Sequence, residues 1–156
     1  ALLISSRMVQ RLAAKNRTED DLSSLKKMLM RFENVTEATS GVERSEANLE
    51  FHFAISRAAG NKYFQAFYDQ VLIDTIRLAR VCFSDQLSSD ADLVSSLSAH
   101  LEETVRQHRL ILAAIEDADA DTADELAVLH HKLTTERIKK VLFSGVFDDK
   151  QLQLGS

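Results

Sequence analysis

The chain has 156 residues, of which 45% are hydrophobic, and carries a net charge of −5. This length and apolar fraction suit one globular domain with its own core, and the acidic balance argues against a surface that grips nucleic-acid phosphates. The single cysteine, Cys82, excludes an intrachain disulfide and a cysteine-rich zinc site, and no apolar run approaches the ~20 residues of a membrane span.

The scarcity of helix breakers, with no proline and four glycines, predicts an all-α bundle. Hydrophobic periodicity and capping residues predict its helices. In chain order we expect a first helix from Leu2 to Lys15 and a second helix that begins with a capping box of Thr18 and Asp21. A third helix is expected from near Ser45 to Gly60, and three more over 64–82, 92–116 and 122–143. The segments 35–41 and 84–92 are predicted connections. One domain would span residues 1–145, and residues 146–156 would form a flexible tail.

The first residues, Ala1 to Ile4, begin inside an apolar run that reads as helix. They have no capping residue, no initiator methionine and no signal peptide. We therefore expect that the protein has a further part before Ala1.

Asn48 and His52 are four residues apart in the third predicted helix, so they lie on the same face, one turn apart. His108, His130 and His131 also occur in helical contexts, and the first two lie on or beside apolar stripes. Buried imidazoles on different helices need partners for their nitrogens, and a divalent metal is one such partner. The alternative is that each histidine is an ordinary surface or hydrogen-bonded residue. We interpret His100 in that way, because it has no partner at helical spacing.

Enzymatic sites are not supported by the motifs of the chain. No histidine has a glutamate three residues before it, which a ferritin-like di-iron centre needs. The zinc-protease motif, the glycine-rich phosphate loop and the nucleophile turn of the hydrolases are absent from the sequence. Cys82 has no histidine nearby in sequence and is predicted to fill the core. We therefore predict that the chain is not an enzyme.

Several short motifs follow one another in a fixed order between Leu12 and Leu133. They are Leu12-Ala13-Ala14 with Thr18-Glu19-Asp20-Asp21-Leu22, then Asn48 to His52, Ala59-Gly60-Asn61, His108 to Ile111 with Ala114-Ile115, and Asp119-Ala120 with Ala123 and His130. This ordered set resembles the FadR-like C-terminal effector domain, the FCD domain, of GntR-family bacterial transcription regulators. The resemblance implies an antiparallel bundle of six or seven helices that forms a homodimer in the bacterial cytoplasm, with no membrane partner.

The metal-binding branch of that family holds its ion with one aspartate and three histidines. Carried over residue by residue, the resemblance implies Asn48, His52, His108 and His130 as ligands of one divalent transition metal ion, zinc or nickel first. His131 is the alternative to His130, because the two lie about 100° apart around the helix axis and only one can point at the site. Asn48 replaces the usual aspartate, so the cation should be held more weakly. Gln107 stands where a glutamate usually precedes the third ligand, and the acidic residue often found in the first helix is missing.

The function that follows is a sensor of small organic acids in a transcription regulator. The metal would bind a carboxylate of the effector. Arg80, which flanks the apolar face of the fourth helix, is our candidate to bind the far end of the effector. The alternative for Arg80 is a solvated surface charge. DNA would be reached only through the family's N-terminal DNA-binding domain, which is not in this chain. Apolar Val128 and Leu129, away from the main stripe of their helix, indicate a dimer interface.

Two other functions fit the sequence. One is a metal-free helical bundle that serves as an interaction domain, with its histidines bonded to water and side chains. The other is a hydrolase that uses a histidine-bound zinc to activate water, although no acid–base residue is found for it.

Overall fold

The structure, a computed structural model, describes residues 1–35, 39–82 and 91–143. Those residues form six helices and no strand, so the predicted all-α bundle is confirmed for that part of the chain. The helices are α1 (Leu2–Asn16), α2 (Glu19–Glu33), α3 (Gly41–Ala58), α4 (Lys62–Cys82), α5 (Ala91–Glu116) and α6 (Ala120–Leu142). The predicted tail at 146–156, most of the predicted connection at 84–92 and the side chain of Cys82 lie outside the described residues. None of the described helices combines the length and apolar character that crossing a membrane requires.

Two capping boxes set where α2 and α3 begin. The Thr18 hydroxyl accepts from the backbone N–H of Asp21 at 3.2 Å, and the Asp21 carboxylate accepts from the Thr18 N–H at 2.9 Å, as predicted. Ser40 and Glu43 form a second box, so α3 begins at Gly41, and the predicted start near Ser45 is wrong by one turn. The segment is small and polar and reads as a loop, but its Ser-x-x-Glu spacing satisfies the free N–H groups of a helix start.

The end of α3 is the predicted glycine stop followed by a new cap. Gly60 has a φ of 66°, a left-handed conformation that glycine adopts without steric cost. The Asn16 side chain at the end of α1 donates to the carbonyl of Ala59 at 2.7 Å, which binds the two helix ends together. Asn61 then caps α4, because its side-chain oxygen accepts from the N–H groups of Tyr63 and Phe64 at 3.0 and 3.1 Å.

The helix α1 lies in the middle of the bundle and contacts α3, α4, α5 and α6. Its buried face is partly polar: Met8 is 39% exposed, whereas Ser5, Ser6 and Gln10 are buried. The helix buries polar residues because part of its inner face borders a cavity rather than close-packed core. The core around that cavity is built from all six helices and includes Val9, Leu25, Phe51, Ile55, Tyr68, Ile111, Ile115 and Leu126.

Replacing Thr18 by Ala tests the first capping box. The change removes the acceptor of the Asp21 N–H, and we expect it to lower the free energy of unfolding by about 1 kcal/mol. The measurement is urea denaturation followed by circular dichroism. Ser23→Ala is the matched control, because Ser23 is exposed inside the same helix and alanine has the higher helix propensity. Equal loss of stability in both variants would contradict the role of the cap.

Candidate metal centre

Three buried histidines from three different helices meet in the bundle. His52 of α3, His108 of α5 and His130 of α6 are 4%, 0% and 8% exposed. The Nε2 atom of His130 lies 3.2 Å from Nε2 of His52 and 3.4 Å from Nε2 of His108. Within the described chain these residues form a cluster whose ligand atoms all lie within 4.8 Å of one another. We call these three residues the histidine triad.

The triad has the chemistry of a cation site. Burial lowers the pKa of His52 and His108 well below the usual value, and the neighbouring His130 lowers both further. Burial, with a smaller contribution from His131, lowers the pKa of His130 to about 4. Each neutral imidazole offers one lone pair, and three lone pairs directed at one point can bind a cation there. Nitrogens bound to one tetrahedral zinc at ~2.05 Å are about 3.3 Å apart, close to the spacing of the triad. The donor set therefore fits a divalent transition metal.

A chain of two hydrogen bonds fixes the ring of His130. The Gln107 side chain donates from Nε2 to the Glu103 carboxylate at 2.8 Å, and its Oε1 lies 3.1 Å from Nδ1 of His130. Arg106 first, and then Gln107, hold the pKa of Glu103 below its usual value, so that carboxylate can only accept. The amide oxygen of Gln107 must then face His130, and Nδ1 of His130 must donate to it. This leaves Nε2 of His130 without a proton, pointing at the other two rings.

The rings of His52 and His108 are held in different ways. The Tyr68 hydroxyl lies 3.3 Å from Nδ1 of His52 and also bonds to Ser6. If the Tyr68 hydroxyl donates to Ser6 and accepts from Nδ1, it leaves Nε2 of His52 bare for a ligand bond. His108 has no hydrogen-bond partner at Nδ1 among the described residues. Its ring is held by packing, stacked on Phe51 with centroids 4.3 Å apart.

The triad adjoins a cavity inside the bundle with a volume of about 80 Å³. A buried water needs about 10–15 Å³ on this measure, so the cavity has room for a small molecule. Asn48, one turn before His52 on α3, lines it and is half-buried. The other described lining residues are Leu2, Ser6, Gln10, Phe32, Arg44, Ser45, His52, Tyr68, Leu72, Thr75, Ile76, His100, Leu101, Thr104, Ala127, His130, His131 and Thr134.

The structure brings together three of the five predicted site residues as a triad and places a fourth, Asn48, on the same cavity. The fifth, Arg80, is exposed near the end of α4 and is not among the described residues that line the cavity. His131 lines the cavity but stands outside the triad, with its Nε2 atom 3.5 Å from the Thr135 hydroxyl.

Sequence analysis missed three features of the site. His100, interpreted as an isolated surface residue, lies in the cavity wall, where burial first and then nearby Arg137 lower its pKa to about 4. Tyr68 carries no motif that marks it as the partner of His52. Of these three residues, only Arg44 could have been found from the sequence, because it stands four residues before Asn48. The predicted start of α3 was too late and left Arg44 outside the helix.

The model of the family described as FCD domain matches residues 7–132, which is most of the chain. No curated protein gives a significant match to the sequence. The matched span contains all three residues of the triad and the described cavity wall except Leu2, Ser6 and Thr134.

The lowered pKa values predict that the metal-free protein loses stability in acid. Below a pH of about 6.5 the unfolded chain binds a proton at His130, whereas the folded protein does not until the pH approaches about 4. Stability should therefore fall by roughly 1.4 kcal/mol per pH unit between those limits through His130. His52 and His108, whose pKa values are also lowered, should add to this loss. The measurement is urea denaturation in chelator near pH 7 and near pH 5. His130→Gln should show a shallower loss, and equal loss in both proteins would contradict the assignment.

Removing the Gln107 acceptor should disturb the ring of His130. For Gln107→Leu we expect metal affinity to fall about tenfold to a hundredfold, as is common for groups that orient a ligand. Gln107→Glu keeps an acceptor and should restore binding. Nitrogen-15 NMR of labelled histidine gives a direct check on the metal-free protein. His130 should carry its proton on Nδ1 in the wild type and in Gln107→Glu, and the finding of that same fixed tautomer in Gln107→Leu would refute the role of Gln107.

Proposed function

The chain belongs to the FCD domain family, and from that membership together with the histidine triad we propose that it is a metal-dependent sensor of small organic acids in a GntR-type transcription regulator. FCD domains are effector-binding domains of transcription regulators rather than enzymes. The observation that carries the metal part of the proposal is the convergence of three Nε2 atoms from three helices beside an internal cavity.

The proposed ligands are the triad and Asn48, with zinc or nickel as the ion. Imidazole nitrogen suits both metals, and the amide oxygen of Asn48 is a weaker donor than a carboxylate. When bound, the metal supplies a positive charge that can polarise and hold an oxygen of the effector. The chain's own residues supply shape and orientation: Gln107 and Tyr68 hold two ligand rings, and apolar side chains such as Leu72 form part of the cavity wall.

The proposed effector is a small carboxylate. All four proposed ligands are neutral, so a divalent ion keeps its full charge in the site. The described residues of the cavity wall include arginine and histidine but no aspartate or glutamate. A buried cation without a counter-charge is costly, and an anionic effector offsets that cost.

The proposed output is a change in how two protomers sit relative to each other. A ligand can shift this equilibrium only through a difference in affinity for its two states. We propose a homodimer in the cytoplasm that reaches DNA only through an N-terminal domain. Exposed apolar side chains support an interface: on α6, Val128 and Leu129 are 39% and 52% exposed.

The test is His108→Ala with His131→Ala as its matched control. Both remove an imidazole, but only His108 belongs to the triad. We expect the wild type and His131→Ala to bind about one zinc or nickel ion per chain, and His108→Ala to bind none tightly, because two imidazoles and an amide make a much weaker site. The measurement is elemental analysis after dialysis against a trace of free metal.

Thermal-shift assays on the same proteins check the sensor. Small carboxylates should stabilise the wild type only in the presence of metal, and chelator should remove the effect. Full metal content in His108→Ala would overturn the assignment of the ligands. A wild type without any tight metal would favour the alternative function, a metal-free helical-bundle interaction domain.

A further inference from the structure

Gln10 of α1 is a buried amide in the wall of the internal cavity. It is 1% exposed and lines the same cavity as Asn48 and His52. Its side-chain oxygen Oε1 is buried and has no hydrogen-bond partner among the described residues. We propose that Gln10 binds a hydroxyl group of the effector, so that the cavity selects a small hydroxy acid over the same acid without the hydroxyl. The acid part of this assignment rests on the proposed function, whereas the hydroxyl part rests on Gln10 itself.

The position of Gln10 follows from the spacing of α1. Ser6 and Gln10 are four residues apart, so they lie on the same face of the helix, and both line the cavity. Ser6 bonds to the Tyr68 hydroxyl, which lies 3.3 Å from Nδ1 of His52. Hydrogen bonds therefore join this face of α1 to the triad through Tyr68, and Gln10 stands one turn further along the same face.

The hydroxyl groups of the cavity wall, by contrast, already have partners. Each serine and threonine that lines the described cavity forms a side-chain hydrogen bond, four of them to the carbonyl four residues earlier in their own helix: Ser6, Ser45, Thr75, Thr104 and Thr134. Asn48 and His131 are polar as well, but both are only half-buried. Gln10 is therefore the fully buried, uncharged side chain of the described wall that still needs a hydrogen bond.

The chemistry of this amide selects a hydroxyl. Oε1 is an acceptor, so its partner must donate, and an ionised carboxylate has no proton to donate. A hydroxyl both donates and accepts, so it can bond to Oε1 or, with the amide rotated, to the Nε2 donor. An ammonium group also donates, but the described wall contains no aspartate or glutamate to pair with it. A buried acceptor without a partner costs free energy, and an acid that lacks the hydroxyl leaves that cost in place.

A glutamine that serves a ligand differs from one that serves the fold. When an amide is bonded within the protein, its removal leaves the partner unpaired and lowers stability. Gln10 has no such partner among the described residues, so an apolar side chain of similar shape should replace it without loss of stability. One substitution should therefore reduce the selectivity for the ligand and leave the unliganded fold intact.

The experiment is calorimetric titration of the zinc-loaded chain with small hydroxy acids, each paired with the acid that lacks the hydroxyl: glycolate with acetate, beta-hydroxybutyrate with butyrate, and malate with succinate. We expect at least one hydroxy acid to bind about tenfold to a hundredfold more tightly than its partner, as the cost of an unpaired buried acceptor implies. Gln10→Met, which keeps the length of the side chain and removes the amide, should bring this ratio close to one and keep the bound zinc. Gln70→Met, the same change on the exposed face of α4, should preserve the ratio.

The same variant separates the proposal from selectivity that the metal provides. A metal ion can itself favour an alpha-hydroxy acid by binding its hydroxyl oxygen, and that preference would survive in Gln10→Met. A wild-type ratio in Gln10→Met, or no preference for any hydroxy acid in the wild type, overturns the proposal. If the wild type binds no zinc, the proposed function fails, and the same paired titrations without metal decide the role of Gln10 by the same two outcomes.

Urea denaturation of the metal-free protein, without any acid, checks the fold. Gln10→Met should unfold at the wild-type midpoint or at a higher urea concentration. Gln10→Leu is the second apolar variant and guards against an effect of side-chain shape. A clearly lower midpoint in both variants, or failure of both to fold, assigns the amide to the fold and overturns the proposal.

Discussion

The structure depends on one constraint: three imidazoles are buried within contact distance of one another and must stay neutral there. Their rings come from α3, α5 and α6, so the triad forms only if those helices keep one register relative to each other. Much of the surrounding packing serves this end. Phe51 stacks on His108, Phe32 contacts the same ring with centroids 4.8 Å apart, and Gln107 and Tyr68 hold the other two rings from outside.

The charges around the triad are arranged in layers. Asn48 and Gln107 are both amides, so neither brings a negative charge to the triad. The carboxylate nearest to His130 along its hydrogen-bond chain is Glu103, one helical turn before Gln107 on α5. Glu103 is bonded to exposed Arg106 at 2.6 Å, and this pair keeps the negative charge on the outer side of Gln107. Among the described residues, the inner layer is therefore neutral or basic, which suits the acidic effector of the proposed function.

The sequence was sufficient for most of the fold because its signals are local. The capping box at Thr18 and the helix end at Gly60 each depend on residues within one helical turn, and both were predicted correctly. The start of α3 was missed because small polar residues favour loops and caps alike, and only the Ser40–Glu43 pair separates the two. The extra turn is important because it places Arg44 in line with Asn48 and His52.

The site was only partly predictable for a different reason. Helical spacing paired Asn48 with His52, but which histidines of α5 and α6 join them depends on how helices far apart in sequence pack. His100 shows this limit: its neighbours in sequence do not mark it as a site residue, and the packing of α5 places it in the cavity wall. The burial of Ser6 and Gln10 on α1 is likewise a consequence of the cavity, which no periodicity in α1 indicates.

The neutral shell has a consequence for how metal and effector would act together under the proposed function. A divalent ion bound by four neutral donors leaves a net charge inside the bundle, and burying that charge is unfavourable. An anionic effector that contacts the ion would cancel much of it, so each ligand should raise the affinity of the other by the same factor, as linkage requires. With an aspartate in place of Asn48, part of the ion's charge would already be cancelled and the coupling would be smaller. Under that proposal, the two amides would make the site weaker for metal alone and more responsive to its effector, because occupancy would then depend on both ligands being present.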